Sequence, residues 1–177
     1  GLTEAFPEHA YRGEETGYSP GSGPSSSCLW LVDPNDGTSA YLQGFRGAAV
    51  SIALLHDGRP VLGVVYAYCA PDDGGDLFTW AEGSGVIRRN GQEVHRQWPA
   101  LAGPDCTVLV SHHADRNSQA NALVSNPMRF RAVPSIAYRL ALVAAGEGDL
   151  VVSLNGPCGW DCAGGHALLL GAGGDLF

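Results

Sequence analysis

The chain has 177 residues, room for one domain with its own core, and its 45% hydrophobic content excludes a disordered segment. Ten basic residues stand against 18 acidic ones, for a formal net charge of −8. That balance excludes a general binder of nucleic acid or of anionic membrane surfaces, both of which need a basic face; an anionic substrate would need a cation, most simply a metal ion, between itself and this protein.

Residues 1–27 are rich in Gly, Pro, Ser and Glu and read as loop, with a flexible stretch over 16–27. Inside it, "RGEETG" sets Glu14 and Glu15 between glycines. Leu29 to Val32 is a continuous apolar run, the pattern of a strand covered on both faces. It runs straight into Asp33-Pro34-Asn35-Asp36-Gly37-Thr38, and Thr38 to Gln43 predicts a short helical turn. In "AAVSIALLHDGRPVLGVVYAY" two β-rich runs flank His56-Asp57-Gly58-Arg59, a hairpin signal. "GDLFTWAEG" predicts a third antiparallel strand, and Asn90-Gly91 another tight turn.

The second half alternates. "CTVLVSHH" predicts a strand and "ADRNSQANALVS" a helix. "IAYRLALVAAGEGD" carries apolar positions at helical spacing and ends at Gly146. "LVVSL" predicts a strand, and "GWDCAGGHALLLGAGG" a helix from near Trp160-Asp161 to Gly173-Gly174. Antiparallel strands followed by alternating strand and helix predict a layered α/β (α+β) architecture in one domain over 1–177.

Five cysteines, an odd number without a CxxC pair, point to scattered buried thiols in a reducing cytosol rather than a zinc knuckle or a disulfide framework. The apolar run near Ala48 to Leu55 is far shorter than the roughly 20 residues that span a bilayer. No signal peptide is visible, and a cytoplasmic protein is expected. Opening at Gly1 and stopping at "GAGGDLF", the chain reads as a fragment of a longer domain.

The acids after Val32 admit more than one reading. The plainest is a strand ending in an Asx turn, with an aspartate capping a helix. An EF-hand calcium loop fails on register: counted from Asp33, the glycine falls at position five instead of six, and Gly44 stands where position twelve needs glutamate. The third reading is a magnesium site. Asp33 and Asp36, three apart across a proline, can aim two carboxylates at one point, with the Asn35 carbonyl between them. Without a cation the two would repel and one would take up a proton. Gly37 and Thr38 would then offer N–H groups at a helix start, a seat for phosphate. More acids would be needed, and Glu14, Glu15 and Asp161 are the candidates; Asp161 also suits a routine helix cap.

In order along the chain, "GEE", "WLVDPNDGT", "VSIALLHDGRPVLGVVY", "AEGSGVIRRNGQEV" and "GWDCAGGHALLLGAGG" resemble the inositol monophosphatase family, the lithium-sensitive, magnesium-dependent sugar-phosphatase superfamily. The resemblance covers nearly the whole chain; its DPxDGT and WDxA elements are specific, and the glycine-rich pieces between them less so. It implies an alternating αβαβα sandwich, here lacking the first helices. It implies that Glu14, Asp33, Asp36 and Asp161, with the main-chain carbonyl of Asn35, bind two or three Mg2+ ions. Glu14 and Thr38 would position and deprotonate the attacking water, with Asp36 also catalytic. The N–H groups of Gly37 and Thr38 would hold phosphate, and Pro134 and Ser135 would contact substrate.

The implied activity is hydrolysis of a small polyol, sugar or nucleotide phosphate, with no nucleic-acid or membrane partner; a homodimer is compatible with the family. A bisphosphate nucleotide such as 3′-phosphoadenosine 5′-phosphate is an alternative substrate, and a catalytically silent metal- or phosphate-binding relative an alternative role. Departures from the family pattern are Asn35 for an apolar residue, Pro134 for a glycine, and the lack of an acid near Ser153 to Asn155, which argues against inositol monophosphate. The upstream aspartate that normally partners the DPxDGT threonine is missing. Elsewhere, His112-His113 read as a solvated loop pair with substrate contact as the alternative, Arg88-Arg89 as a surface pair, His166 as packing, and Trp30, Trp80 and Trp160 as core.

Overall fold

A computed structural model describes residues 1–23, 27–154 and 156–177. A single turn, α1 (Leu2–Ala5), leads into β1 (Ala10–Gly13), β2 (Gly17–Ser19) and β3 (Cys28–Asp36). β1 and β2 lie where the sequence reads as loop. Four residues such as "AYRG" carry no alternation of their own; β1 exists because it pairs in parallel along β3, from Ala10 opposite Leu29 to Gly13 opposite Val32. β2 then pairs antiparallel on the far side of β1. Residues 24–26 of the expected flexible stretch lie outside the described residues.

The third strand also runs past Val32, through both aspartates. Its ladder with β4 (Ala49–His56) holds to Asp33 opposite Ser51, slips, and resumes at Asp36 opposite Ala49. The slip is a bulge at Pro34-Asn35, where proline has no N–H to give. α2 (Thr38–Tyr41) follows. β4 and β5 (Arg59–Ala67) form the expected hairpin, with Asp57 and Gly58 both at positive φ. β6 (Asp76–Ala81), β7 (Arg88–Arg89) and β8 (Gln92–Glu93) complete an eight-stranded sheet in the order β2-β1-β3-β4-β5-β6-β7-β8.

A second, parallel sheet of order β10-β9-β11 is built from β9 (Thr107–Val110), β10 (Arg129–Ala132) and β11 (Leu150–Val151). A 3-10 turn, His112–Asn117, and α3 (Ser118–Ser125) bridge β9 to β10. α4 (Ile136–Ala144) and α5 (Gly159–Gly171) form the helical layer against the large sheet. The expected layered α/β architecture is therefore present, with strand β10 in addition.

The core lies between these layers: Val65, Phe78 and Ile87 of the sheet side meet Leu140, Val143, Leu168 and Leu169 of α4 and α5. Close approach is enforced by small residues. A Cβ on Gly63 of β5 would lie 2.4 Å from the Gly164 carbonyl oxygen and 2.6 Å from the Ala167 Cβ, so α5 sits directly on β5. Trp30 is buried, and Trp80 and Trp160 are half-buried against the two apolar clusters. Arg89 departs from expectation: it forks onto fully buried Asp76 with two bonds of 2.7 Å, and the Tyr138 phenol donates to the same carboxylate at 3.0 Å. A buried carboxylate demands such partners. His166 pairs with Asp175 at 2.8 Å. Among the described residues, which include all five cysteines, no disulfide forms. Among the described residues no helix is long and apolar enough to cross a membrane.

Candidate active site

The parallel pairing of β1 on β3 continues one step beyond Gly13: the Glu14 N–H donates to the Val32 carbonyl at 3.1 Å. That bond sets Glu14 beside Asp33, and the two carboxyl groups are in hydrogen-bonding contact. Asp33 is only 2% exposed, and its Oδ1 accepts the Asn35 N–H at 2.8 Å. Asp161 reaches the same point from α5. Its Oδ2 accepts the Cys158 N–H at 2.8 Å, which caps the helix, while the carboxyl is also in hydrogen-bonding contact with Asp33. Both plain readings of the sequence, Asx turn and helix cap, are thus realised together with the convergence of the acids.

Asp36, beyond the bulge, turns to the start of α4. Its Oδ2 accepts the Ser135 hydroxyl at 2.6 Å and the Ala137 N–H at 2.7 Å. Both donors fall on one oxygen, so the other is left for a ligand. Ser135 is fully buried, and its Oγ also accepts the Tyr138 N–H at 2.9 Å. Its hydroxyl is therefore engaged inside the protein, on Asp36 and on the first turn of α4.

Gly37 is the joint between these parts. Its φ of 91° lies in the left-handed region, and an added Cβ would lie 3.2 Å from the Ser135 nitrogen. Glycine alone gives both the turn and the close approach. Thr38, exposed at the start of α2, donates its hydroxyl to the Asn35 carbonyl at 2.6 Å. With its proton spent, the hydroxyl oxygen presents lone pairs to solvent. The first-turn N–H groups of a helix have no partner within it.

The electrostatics are those of crowded like charges. Burial, together with the Asp36 and Glu14 charges, pushes the Asp33 carboxyl up to about 8 against the pull of the Asn35 N–H. Burial also pushes Asp36 up to about 6, although Ser135, Ala137 and the Arg139 charge draw it down. Asp161 is raised as well, by burial and then by the Glu14 charge. Arg139, only 3% exposed, is lowered by burial to about 10, and its guanidinium donates to the Ser135 and Val152 carbonyls.

Sequence reasoning passed over Arg139; the signal was a lone charge inside an otherwise apolar helical run. It also passed over Tyr68, whose phenol donates to Asn35 Oδ1 at 2.7 Å. No spacing in the sequence announces that contact.

This donor set fits a hard divalent cation. Every candidate ligand is oxygen, and Asp33, Asp36 and Asp161 each give an oxygen to a backbone N–H. A cation would offset the burial and the like-charge repulsion that lift their pKa values. Among the described residues no three acid, cysteine or histidine side chains already stand as an open metal cage. Asp33 contacts both Glu14 and Asp161, and ligation would exchange those contacts for an ion.

His112 and His113 stand at the end of β9 with ring centroids 3.9 Å apart, His112 against Phe45 and His113 exposed. Ser153 and Leu154 are exposed after β11, and Asn155 lies outside the described residues. A groove of about 540 Å³, lined by Trp98, Leu101, Val143, Leu150, Leu169 and Phe177 among others, shares no residue with the acids. Its charged lining groups are Asp149 and Asp175, which suits no phosphate.

A profile of the inositol monophosphatase family matches residues 1–177. Inositol monophosphatase 3 of Solanum lycopersicum is 31% identical over 99% of this chain and 67% of its own length. Nus factor SuhB of Pseudomonas aeruginosa is 32% identical over 98% of this chain and 65% of its own. Among solved structures, the inositol monophosphatase of Anabaena (Nostoc) sp. PCC 7120 superposes with a TM-score of 0.79 at 27% identity, covering 97% of this chain and 68% of that one. The chain spans about two thirds of the length of these relatives.

Proposed function

This chain belongs to the inositol monophosphatase family, and from that premise we propose that it is the catalytic portion of a magnesium-dependent phosphomonoesterase acting on a small phosphorylated metabolite. The observation that carries the reading is the meeting of Glu14, Asp33 and Asp161, far apart in sequence, in hydrogen-bonding contact beside Asp36. In this reading Glu14, Asp33, Asp36 and Asp161, with the Asn35 carbonyl, hold two or three magnesium ions. When bound, the ions neutralise phosphate oxygens and acidify the attacking water.

The chain's own residues supply the rest. Ser135 and Ala137 fix the Asp36 carboxylate by two bonds to one of its oxygens. Thr38, its proton given to Asn35, accepts a hydrogen bond from the incoming water and orients it. Glu14, exposed at the rim, takes the proton from that water. The N–H groups of Gly37 and Thr38 receive a phosphate oxygen. A protein of net charge −8 attracts a phosphate ester only where such donors and cations gather.

With no acid at Ser153 or Leu154 of the segment before Trp160, a sugar or nucleotide phosphate is the favoured class over inositol monophosphate. The test is phosphate release over a panel of phosphorylated metabolites, with and without magnesium. Magnesium-dependent release from at least one monoester is expected. Magnesium binding without any release would leave a silent metal-binding relative, and release indifferent to magnesium would overturn the proposal.

A further inference from the structure

The peptide between Pro34 and Asn35 sits in the bulge of β3, between the ladder pairs Asp33–Ser51 and Asp36–Ala49. No strand neighbour aligns it, yet two groups of the site depend on it. The Asn35 N–H orients Asp33 through the 2.8 Å bond to Oδ1, and the Asn35 carbonyl orients Thr38 through the 2.6 Å bond from its hydroxyl. With both backbone groups of Asn35 turned to the site, its side chain is the handle left for anchoring it to the scaffold. Tyr68, one residue beyond the end of β5 and 33 residues from Asn35 in sequence, takes that handle: its hydroxyl donates to Asn35 Oδ1 at 2.7 Å. The phenol is itself braced edge-on by Tyr41 at 6.0 Å and by Tyr66 at 6.5 Å. Tyr41 closes α2, the turn that Thr38 opens, so the Tyr68 ring touches both the bulge and the end of the turn that follows it.

Building on the function proposed above, we propose that Tyr68 is a positioning residue that locks the Asn35 peptide from behind the site, and so sets the aim of the Asp33 carboxylate, the Asn35 carbonyl and the Thr38 hydroxyl. The phenol touches the Asn35 side chain and not the groups that would meet substrate. Its loss should therefore weaken magnesium binding and kcat while leaving KM for the phosphate ester, at saturating magnesium, unchanged. Phenylalanine keeps the contacts with Tyr41 and Tyr66 and removes only the hydrogen bond.

The experiment is titration calorimetry with magnesium chloride on the unaltered chain, Tyr68→Phe, Asn35→Ala and the double variant, with melting curves of the metal-free proteins and kcat and KM alongside. Each single change is expected to weaken magnesium binding by roughly three- to tenfold, the size of one buried hydrogen bond. The double variant should be no weaker than the weaker single, because both changes cut the same link. Metal-free melting of Tyr68→Phe should stay close to that of the unaltered chain. Unaltered magnesium affinity in Tyr68→Phe, or losses that simply add in the double variant, would overturn the assignment of Tyr68 alone. An unaltered chain that binds no magnesium would overturn the function it rests on as well.

Discussion

Each aspartate at the candidate site uses an oxygen to hold backbone. Asp36 shows the consequence most clearly. Its carboxylate caps α4 through Ala137, and burial raises it to about 6. A folded pKa above the unfolded value of 3.8 means that the folded state holds its proton more tightly. Ionisation therefore costs stability, beginning above pH 4 and complete above about pH 6. Asp36→Asn keeps an acceptor for the Ala137 N–H and removes the charge. It should cut turnover at least about 100-fold, while the metal-free protein melts no lower than before at pH 7.5 and with no gain near pH 4. Turnover close to that of the unaltered chain would remove Asp36 from its role. At this scale the sequence displayed the acids, because a paired-aspartate turn with a glycine and a threonine is a compact pattern. What orients them was hidden. Ser135 donates to Asp36 from 99 residues away, and Tyr68 reaches Asn35 across a separation that no local pattern encodes.

Between elements, the site depends on how close α5 lies to β5, since α5 carries Asp161. The Gly63 contact with the Gly164 carbonyl sets that distance. Gly63→Ala places a methyl 2.4 Å from a backbone oxygen that cannot swing aside. It should destabilise the fold by about 2–3 kcal/mol and, by lifting the start of α5, weaken magnesium binding as well. Urea unfolding followed by calorimetry would check both; a stable variant with full magnesium affinity would show that the contact is slack. The long elements were legible, because β4, β5 and α4 carry clear periodicity and turn signals. The short ones were not. β1 and β2 pair through backbone alone on a neighbour that is itself a strand, and β10, "RFRA", alternates over only four residues. Arg89 looked like a surface charge because its partner, Asp76, lies on the adjoining strand and is fully buried.

Across the whole molecule, an acidic chain gathers its most crowded carboxylates where a large mixed sheet, its helical layer and the start of α4 meet. The layered class could be read from antiparallel strands giving way to alternating strand and helix. The convergence of Glu14, Asp33 and Asp161 could be expected only through family resemblance, since it depends on the parallel return of β1 beside β3 and on the docking of α5. Crystals of the protein soaked in manganese chloride and measured at the manganese absorption edge give the most direct test. The expected result is anomalous density within about 2.5 Å of carboxylate oxygens of Asp33, Asp36 and Asp161, with Glu14 alongside. Density confined to surface acids such as Asp72 and Asp73, with Glu14, Asp33 and Asp161 still in contact and Asp36 still on Ser135, would contradict it.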